Sequence, residues 1–245
     1  MVRLSVNVNK VATLRNSRGG AVPSLAQATG VILDAGATGI TVHPRADRRH
    51  ITPDDVRLVA RLLDGKRPAV EYNIEGDPRP EVFALAHEVR PDQVTLVPVV
   101  PGEVTSHVGW SAERAGTEFP SYVKQVHGCG ARLSVFVDAD PAAVRWAAGV
   151  GADRVELYTE PYARACERGE AEGRASFARF VECAELAASL HLGVNAGHDL
   201  DLANLRLFRT LPHLAEVSIG HALVSDALFR GLGVVVREYL AALGS

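Results

Sequence analysis

Two histidines and three arginines stand within eight consecutive residues, His43-Pro44-Arg45-Ala46-Asp47-Arg48-Arg49-His50. Imidazoles, with an unperturbed pKa of roughly 6.5, exchange protons at neutral pH, and guanidinium groups grip phosphate oxygens in a planar fork. Such a segment can bind a phosphorylated substrate and move protons on it. Glu71 lies between Val70 and Tyr72 in an apolar run; burial there would raise its proton affinity toward that of a general base working near neutral pH. The competing reading of Glu71 is an interior ion pair with an arginine. Asn195-Ala196-Gly197-His198-Asp199 and Ile219-Gly220-His221 each end an apolar run in glycine and histidine. Glycine lets backbone N–H groups approach an anion closely, and a helix start near Ser225 and Asp226 would add positive dipole. No H-x-H or H-E-x-x-H pattern occurs, so metal ligation is not indicated.

These groups recur at the same point of a repeating pattern. Apolar, β-prone runs at 4–9, 39–43, 69–75, 93–99, 133–138, 155–158, 192–196 and 217–220 alternate with helical patterns. The helices are expected over 24–35, 53–63, 80–89, a stretch ending near 128, 141–150, 172–190, 202–208 and 225–243. Thr52-Pro53-Asp54-Asp55 is a helix start, and Gly36 and Gly65 mark helix ends. Strict alternation requires parallel strands and right-handed crossovers, and eight units in 245 residues match a closed (β/α)8 barrel. The expectation is therefore an α/β protein, one barrel domain over 1–245, with extra short helices or long loops near 101–116 and 160–172. An open, doubly wound sheet usually has fewer strands, and its dinucleotide-binding form needs G-x-G-x-x-G where this chain has Asn7-Val8-Asn9-Lys10. In a barrel the C-terminal strand ends share one mouth. That mouth would collect Asn7, Asn9, Lys10, His43, Arg45, Glu71, Asn73, Glu75, Glu156, Tyr158, His198, Asp199, Gly220 and His221.

At 47% hydrophobic and 22% charged residues, the chain can bury one sizeable core. A net charge of −3 gives no global pull toward nucleic acid or membrane, so anions must be held by a local site and small phosphorylated molecules are the fitting partners. No apolar run approaches the ~18 residues of a membrane span, and Met1-Val2-Arg3-Leu4-Ser5 leads straight into a strand pattern, so a cytoplasmic protein is expected. Cys129, Cys166 and Cys183 lie far apart and suggest neither a disulfide framework nor a zinc site. Only Lys10, Lys66 and Lys124 are lysines, which makes Lys10 at a strand end conspicuous.

The segments Asn7-Val8-Asn9-Lys10-Val11-Ala12-Thr13-Leu14-Arg15-Asn16-Ser17-Arg18-Gly19, Gly39-Ile40-Thr41-Val42-His43-Pro44-Arg45 through Arg48-Arg49-His50-Ile51-Thr52, Val194-Asn195-Ala196-Gly197-His198 and Ile219-Gly220-His221-Ala222 together resemble the pyridoxine 5′-phosphate synthase family of vitamin B6 biosynthesis. The resemblance runs in order from residue 4 to about 240. It implies a barrel that condenses 1-deoxy-D-xylulose 5-phosphate with 3-amino-2-oxopropyl phosphate, releasing phosphate and water, without metal or organic cofactor, in an octamer built from dimers. By position it implies His43 and Glu71 as proton acceptors and His198 as proton donor. It implies Asn7, Arg18, Gly220 and His221 as holders of the aminoketone phosphate, and Arg45, His50 and Thr105 as holders of the deoxyxylulose phosphate.

Two places depart from the family pattern. Asn9-Lys10 stands where Asp-His is common, and Asp199 where glycine often follows the histidine. An amide cannot titrate and an ordinary lysine stays protonated, so Asn9 and Lys10 are expected to bind substrate and not to shuttle protons. Asp199 beside a phosphate would repel it unless the carboxylate turns away or pairs with a cation. Two rival functions are a Schiff-base aldolase using Lys10 and a catalytically idle barrel that binds a phosphorylated metabolite.

Overall fold

The computed structural model describes residues 2–99 and 107–244. Its strands are β1 (Arg3–Asn7), β2 (Gly39–Val42), β3 (Glu71–Gly76), β4 (Gln93–Leu96), β5 (Arg132–Val137), β6 (Arg154–Tyr158), β7 (Gly193–Gly197) and β8 (Leu214–Ile219). The helices are α1 (Asn9–Asn16), α2 (Leu25–Asp34), α3 (Pro53–Leu62), α4 (Pro80–Val89), α5 (Ala112–Ala115), α6 (Phe119–Gly128), α7 (Pro141–Gly149), α8 (Glu160–Arg168), α9 (Glu170–Ser189), α10 (Leu205–Phe208), α11 (His221–Arg230) and α12 (Leu232–Leu243). Each strand pairs in parallel with the next, and β8 closes on β1, where Ser5 stands opposite both Gly39 and Ser218. The expected (β/α)8 barrel is the observed one.

Alternation along the strands decides what faces where. Leu4, Val6, Ile40, Val42, Tyr72, Ile74, Val94 and Leu96 are buried under the helices and form the apolar core. The barrel interior is polar instead of the usual packed aliphatic layers. Ser5 and Thr41 share a hydroxyl hydrogen bond of 2.7 Å, Asn73 donates to Thr41 (3.3 Å), and Thr95 donates to Asn73 (3.1 Å). Across the barrel Asn195 donates to Gln93 (3.3 Å) and accepts from Arg154 (2.8 Å). These bonds satisfy polar groups that would be costly to bury unpaired.

Local sequence sets the helix ends. Thr52 accepts from the Asp55 N–H while the Asp55 carboxylate accepts from the Thr52 N–H, a reciprocal capping box with Pro53 in the first turn of α3. Ser24 caps α2 by accepting from the Gln27 N–H. Two segments differ from expectation, and 160–172 takes the extra short helix that was one of its two expected forms. The polar stretch after β1 is helix α1, which buries only Val11 and Ala12 and so lacks an apolar stripe strong enough to mark it. Residues 160–172 hold α8, then Gly169 at φ +153°, then the start of α9. The single helix expected over 225–243 is two, α11 and α12, parted by Gly231 at φ +87°, a left-handed conformation that glycine adopts without steric cost. Among the described residues, no helix is long and apolar enough to cross a membrane.

Candidate active site

The C-terminal strand ends enclose a cavity of about 460 Å³. One wall is the exit of β2. His43 and Arg45 are buried, and α1 reaches across to hold this loop: the Asn9 side-chain carbonyl accepts from the His43 N–H (2.9 Å), and Asn16 donates to the His50 carbonyl (2.7 Å). The loop is also tied to α3, because Arg15 forks onto the Asp55 carboxylate at 2.6 and 2.8 Å. His50 Nδ1 accepts from the Ile51 N–H (2.9 Å), so the neutral ring carries its proton on Nε2, where it can donate to an anion. Burial first, then the charges of His50, Arg45 and Arg79, push His43 down to about 3. His43 is thus neutral at pH 7, and among the described residues its buried Nε2 has no hydrogen-bond partner.

The floor holds carboxylates. Glu75, at the C-terminal end of β3, lies 3.6 Å from His43 Nδ1 and accepts from the Asn7 amide (3.3 Å). Burial pushes it up to about 7, against a hydrogen bond with Ser218 and with a further push from Glu216. Glu156, on β6, is also raised well above the usual carboxylate range, by burial and then by the charge of Glu75. Two carboxyl groups that hold protons near neutrality under a neutral imidazole make an acid–base centre.

The opposite wall comes from β7, α8 and α11. His198 and Asp199 take left-handed backbone conformations, φ +89° and +57°, and Thr159 Oγ1 donates to the Gly197 and His198 carbonyls beneath them. Asp199 Oδ2 lies 3.5 Å from His198 Nδ1 and accepts from Arg164 Nη2 (3.1 Å), so the carboxylate pairs with a cation, one of the two arrangements the sequence left open. Gly197 has no room for a side chain, because a Cβ would sit 2.6 Å from Glu156 Oε1. No side chain caps α11, whose first residues, His221 and Ala222, line the cavity with Gly220; their N–H groups and the helix dipole suit a phosphate.

Most expected site residues meet in this cavity: Asn7, Asn9, Lys10, His43, Arg45, His50, His198, Asp199, Gly220 and His221 all line it. Glu71 does not, and its expected place is corrected here. It opens β3 at the far end of the barrel, paired with Arg3 and Arg132. Four residue steps along the strand take it to Glu75, roughly 13 Å away. Alternation turns both glutamates inward, and only their depth along the strand tells them apart. Arg18 is exposed in the turn after α1 and does not line the cavity, and Thr105 lies outside the described residues. The sequence also passed over Arg164 and Ser218; the signals were a charged face on the nine residues between Thr159 and Gly169, and a small hydroxyl two residues before Gly220. Among the described residues, no group of three or more His, Cys, Asp and Glu side chains is placed to hold a metal ion.

The profile of the family described as pyridoxal phosphate biosynthesis protein PdxJ matches residues 4–245. The chain belongs to that family. The PdxJ match takes in all eight strands and every wall of the cavity. A relative in Bacteroides thetaiotaomicron, a pyridoxine 5′-phosphate synthase, is 52% identical over 244 residues, 98% of each chain. One in Porphyromonas gingivalis with the same name is 49% identical over 243 residues, again 98% of each. Phosphoribosyl anthranilate isomerase from Thermus thermophilus shares the fold alone, at a TM-score of 0.61 and 15% identity, over 99% of this chain and 98% of that one.

Proposed function

We propose that this PdxJ-family protein is a pyridoxine 5′-phosphate synthase, condensing 1-deoxy-D-xylulose 5-phosphate with 3-amino-2-oxopropyl phosphate to pyridoxine 5′-phosphate, phosphate and water. The observation that carries this reading is Glu75, pushed up to about 7 and 3.6 Å from a neutral His43, inside a cavity with anion donors on two sides. Arg45 and the Nε2–H of His50 face one phosphate; Gly220, His221 and the open start of α11 face the other, with Asn7 between Glu75 and Gly220. Holding both substrates by their phosphates converts an encounter into a unimolecular step. The amine of one adds to the ketone of the other to give an imine. Glu75 and His43 then take protons as water and phosphate leave, and His198 donates one at ring closure. After product release Glu75 and His43 give the protons they took to solvent, and His198 regains one from it.

The aldolase reading needs a desolvated lysine, and Lys10 is exposed at the start of α1. Octamer assembly and a cytoplasmic setting are further parts of the proposal; light scattering of the purified protein tests the first. For the reaction itself, purified protein with both substrates should form pyridoxine 5′-phosphate, separated by chromatography, and neither substrate alone should. Binding of both phosphates with no product would leave the idle barrel as the correct reading, and substrate-dependent mass addition at Lys10 after borohydride would favour the aldolase.

A further inference from the structure

An apolar corner interrupts the polar barrel interior. Val97, Phe136 and Tyr158 are buried and pack on one another as a cluster separate from the main core. Along β5, Leu133, Val135 and Val137 belong to the core under the helices, so alternation turns Phe136 inward, on the same face as Arg132 and Ser134. On β6 the same alternation puts Tyr158 on the inward face with Glu156. The two rings meet with centroids 5.3 Å apart, and Val97, the residue after β4, completes the group. Val97 and Phe136 line the cavity, and Tyr158 backs them.

The corner is anchored through its backbone. The Val97 N–H donates to the Gly76 carbonyl (2.9 Å), the Phe136 carbonyl accepts from the Trp110 N–H (2.8 Å), and the Trp110 indole donates to the Leu96 carbonyl (3.1 Å). Gly109, beside Trp110, lies so close to the end of β5 that Val137 and Asp138 leave no room for a Cβ. A wall tied down in this way keeps its shape when a ligand arrives. Most of the other groups around the cavity are imidazoles, carboxylates, guanidinium groups and amides. An apolar surface among them gains by meeting an apolar part of a ligand, and a hydroxyl pressed against it loses its water without finding a partner.

The inference rests on the proposed reaction. The C1 methyl of the deoxyxylulose phosphate is the only carbon in either substrate that bears no oxygen or nitrogen, and it stands at the end opposite the phosphate. Arg45 and His50 meet that phosphate at the exit of β2; next in barrel order comes β3 with Glu75, and then the corner at β4 and β5. A ketose phosphate extended from the β2 wall passes Glu75 and brings C1 to the corner. We propose that Val97 and Phe136 are specificity-determining residues, which receive the terminal methyl of the deoxyketose and discriminate against ketose phosphates that carry a hydroxymethyl group there. Neither side chain can hydrogen-bond the added hydroxyl.

D-Xylulose 5-phosphate, which differs from the deoxy substrate by that one hydroxyl, is the probe. The wild type should favour the deoxyketose by about 10²-fold in kcat/KM, the range in which an apolar pocket rejects an isostere with an extra hydroxyl. Val97→Thr keeps the shape and supplies a hydroxyl, so the preference should fall to about 10-fold or less. A change that only loosens the fold lowers kcat/KM for both ketoses and leaves their ratio. Phe136→Leu, which opens the same corner to water, should lower the ratio as well and carries the test should Val97→Thr fail to fold. An unchanged ratio in a folded variant, or a wild type that uses both ketoses equally, would overturn the proposal. Calorimetric titration of each ketose phosphate into the wild type separates the corner from the reaction. Binding of the deoxyketose tighter by about 10-fold or more, with no product formed, would refute the proposed reaction and uphold the corner. Product formation with equal affinity and equal kcat/KM for the two ketoses would uphold the reaction and refute the corner.

Discussion

The acid–base centre depends on which of two inward-facing glutamates lies at the mouth. Glu75→Gln removes the group held near pH 7 beside His43 and should cut kcat by about 10²-fold with little change in Tm. Glu71→Gln removes the shared partner of Arg3 and Arg132 at the opposite end of the barrel. That change should leave kcat within a few-fold and lower stability by about 1–3 kcal/mol, less than a fully buried pair would lose because both arginines are part-exposed. Steady-state kinetics and thermal melts on the two variants check this, and the reverse pattern would put the base at Glu71. Lys10 stands at the cavity edge, a cation on an exposed stem. Lys10→Met should raise KM for the deoxyxylulose phosphate far more than it lowers kcat, because a contact made equally in ground and transition states acts on KM. A collapse of kcat, together with substrate-dependent mass addition at Lys10 of the wild type after borohydride, would make the lysine a nucleophile.

Between the residues and the barrel stand the elements that aim them. Asp55 serves two elements at once, closing the capping box of α3 and receiving the fork of Arg15 from α1. Helix α1 in turn braces the β2 exit through Asn9 and Asn16. Asp55→Ala should therefore cost about 2 kcal/mol and, by loosening the loop that carries Arg45 and His50, raise KM for one phosphorylated substrate about 5–10-fold with a smaller change in kcat. Equal losses for both substrates in the kinetics would count against that route. The alternation of Leu4 to Val8 and the glycines closing helices were enough to show the barrel, since the strands are apolar outward and mostly polar inward, Phe136 of β5 being an exception. Helix α1 was not legible in the same way, being short with only two buried side chains, and α8, which buries three, was expected only as an extra short helix or a long loop. The histidines could be found because they stand where apolar runs stop. Glu75 and Glu71 share one face and one periodicity, and only strand register in three dimensions separates them.

At the scale of the whole molecule, the polar barrel makes stability depend on pH in a direction opposite to that of most salt-bridged proteins. Burial pushes Glu216 up to about 8 and Glu75 up to about 7, and raises Glu156 well above the carboxylate range. In the unfolded chain these groups ionise near roughly 4.3. Between that value and the folded pKa the native state holds protons that the unfolded state has lost, so stability falls as pH rises. Two histidines act the other way. His43, pushed down to about 3, and His50, to about 4, are neutral in the native state while the unfolded chain still binds their protons up to roughly 6.5, so through that window stability rises with pH. Below about 6.5 the two effects largely offset each other; above it the histidines no longer differ and the carboxylates act alone. Tm should therefore decline from pH 6.5 to pH 8.5 in calorimetric scans. Glu216→Gln, which removes one of the raised carboxylates without touching the cavity walls, should flatten that decline. A Tm that climbs across the same interval would mean that the interior glutamates are ionised in the folded barrel, matched by Arg3, Arg132 and Arg154, and that Glu75 is not held near neutrality by its burial.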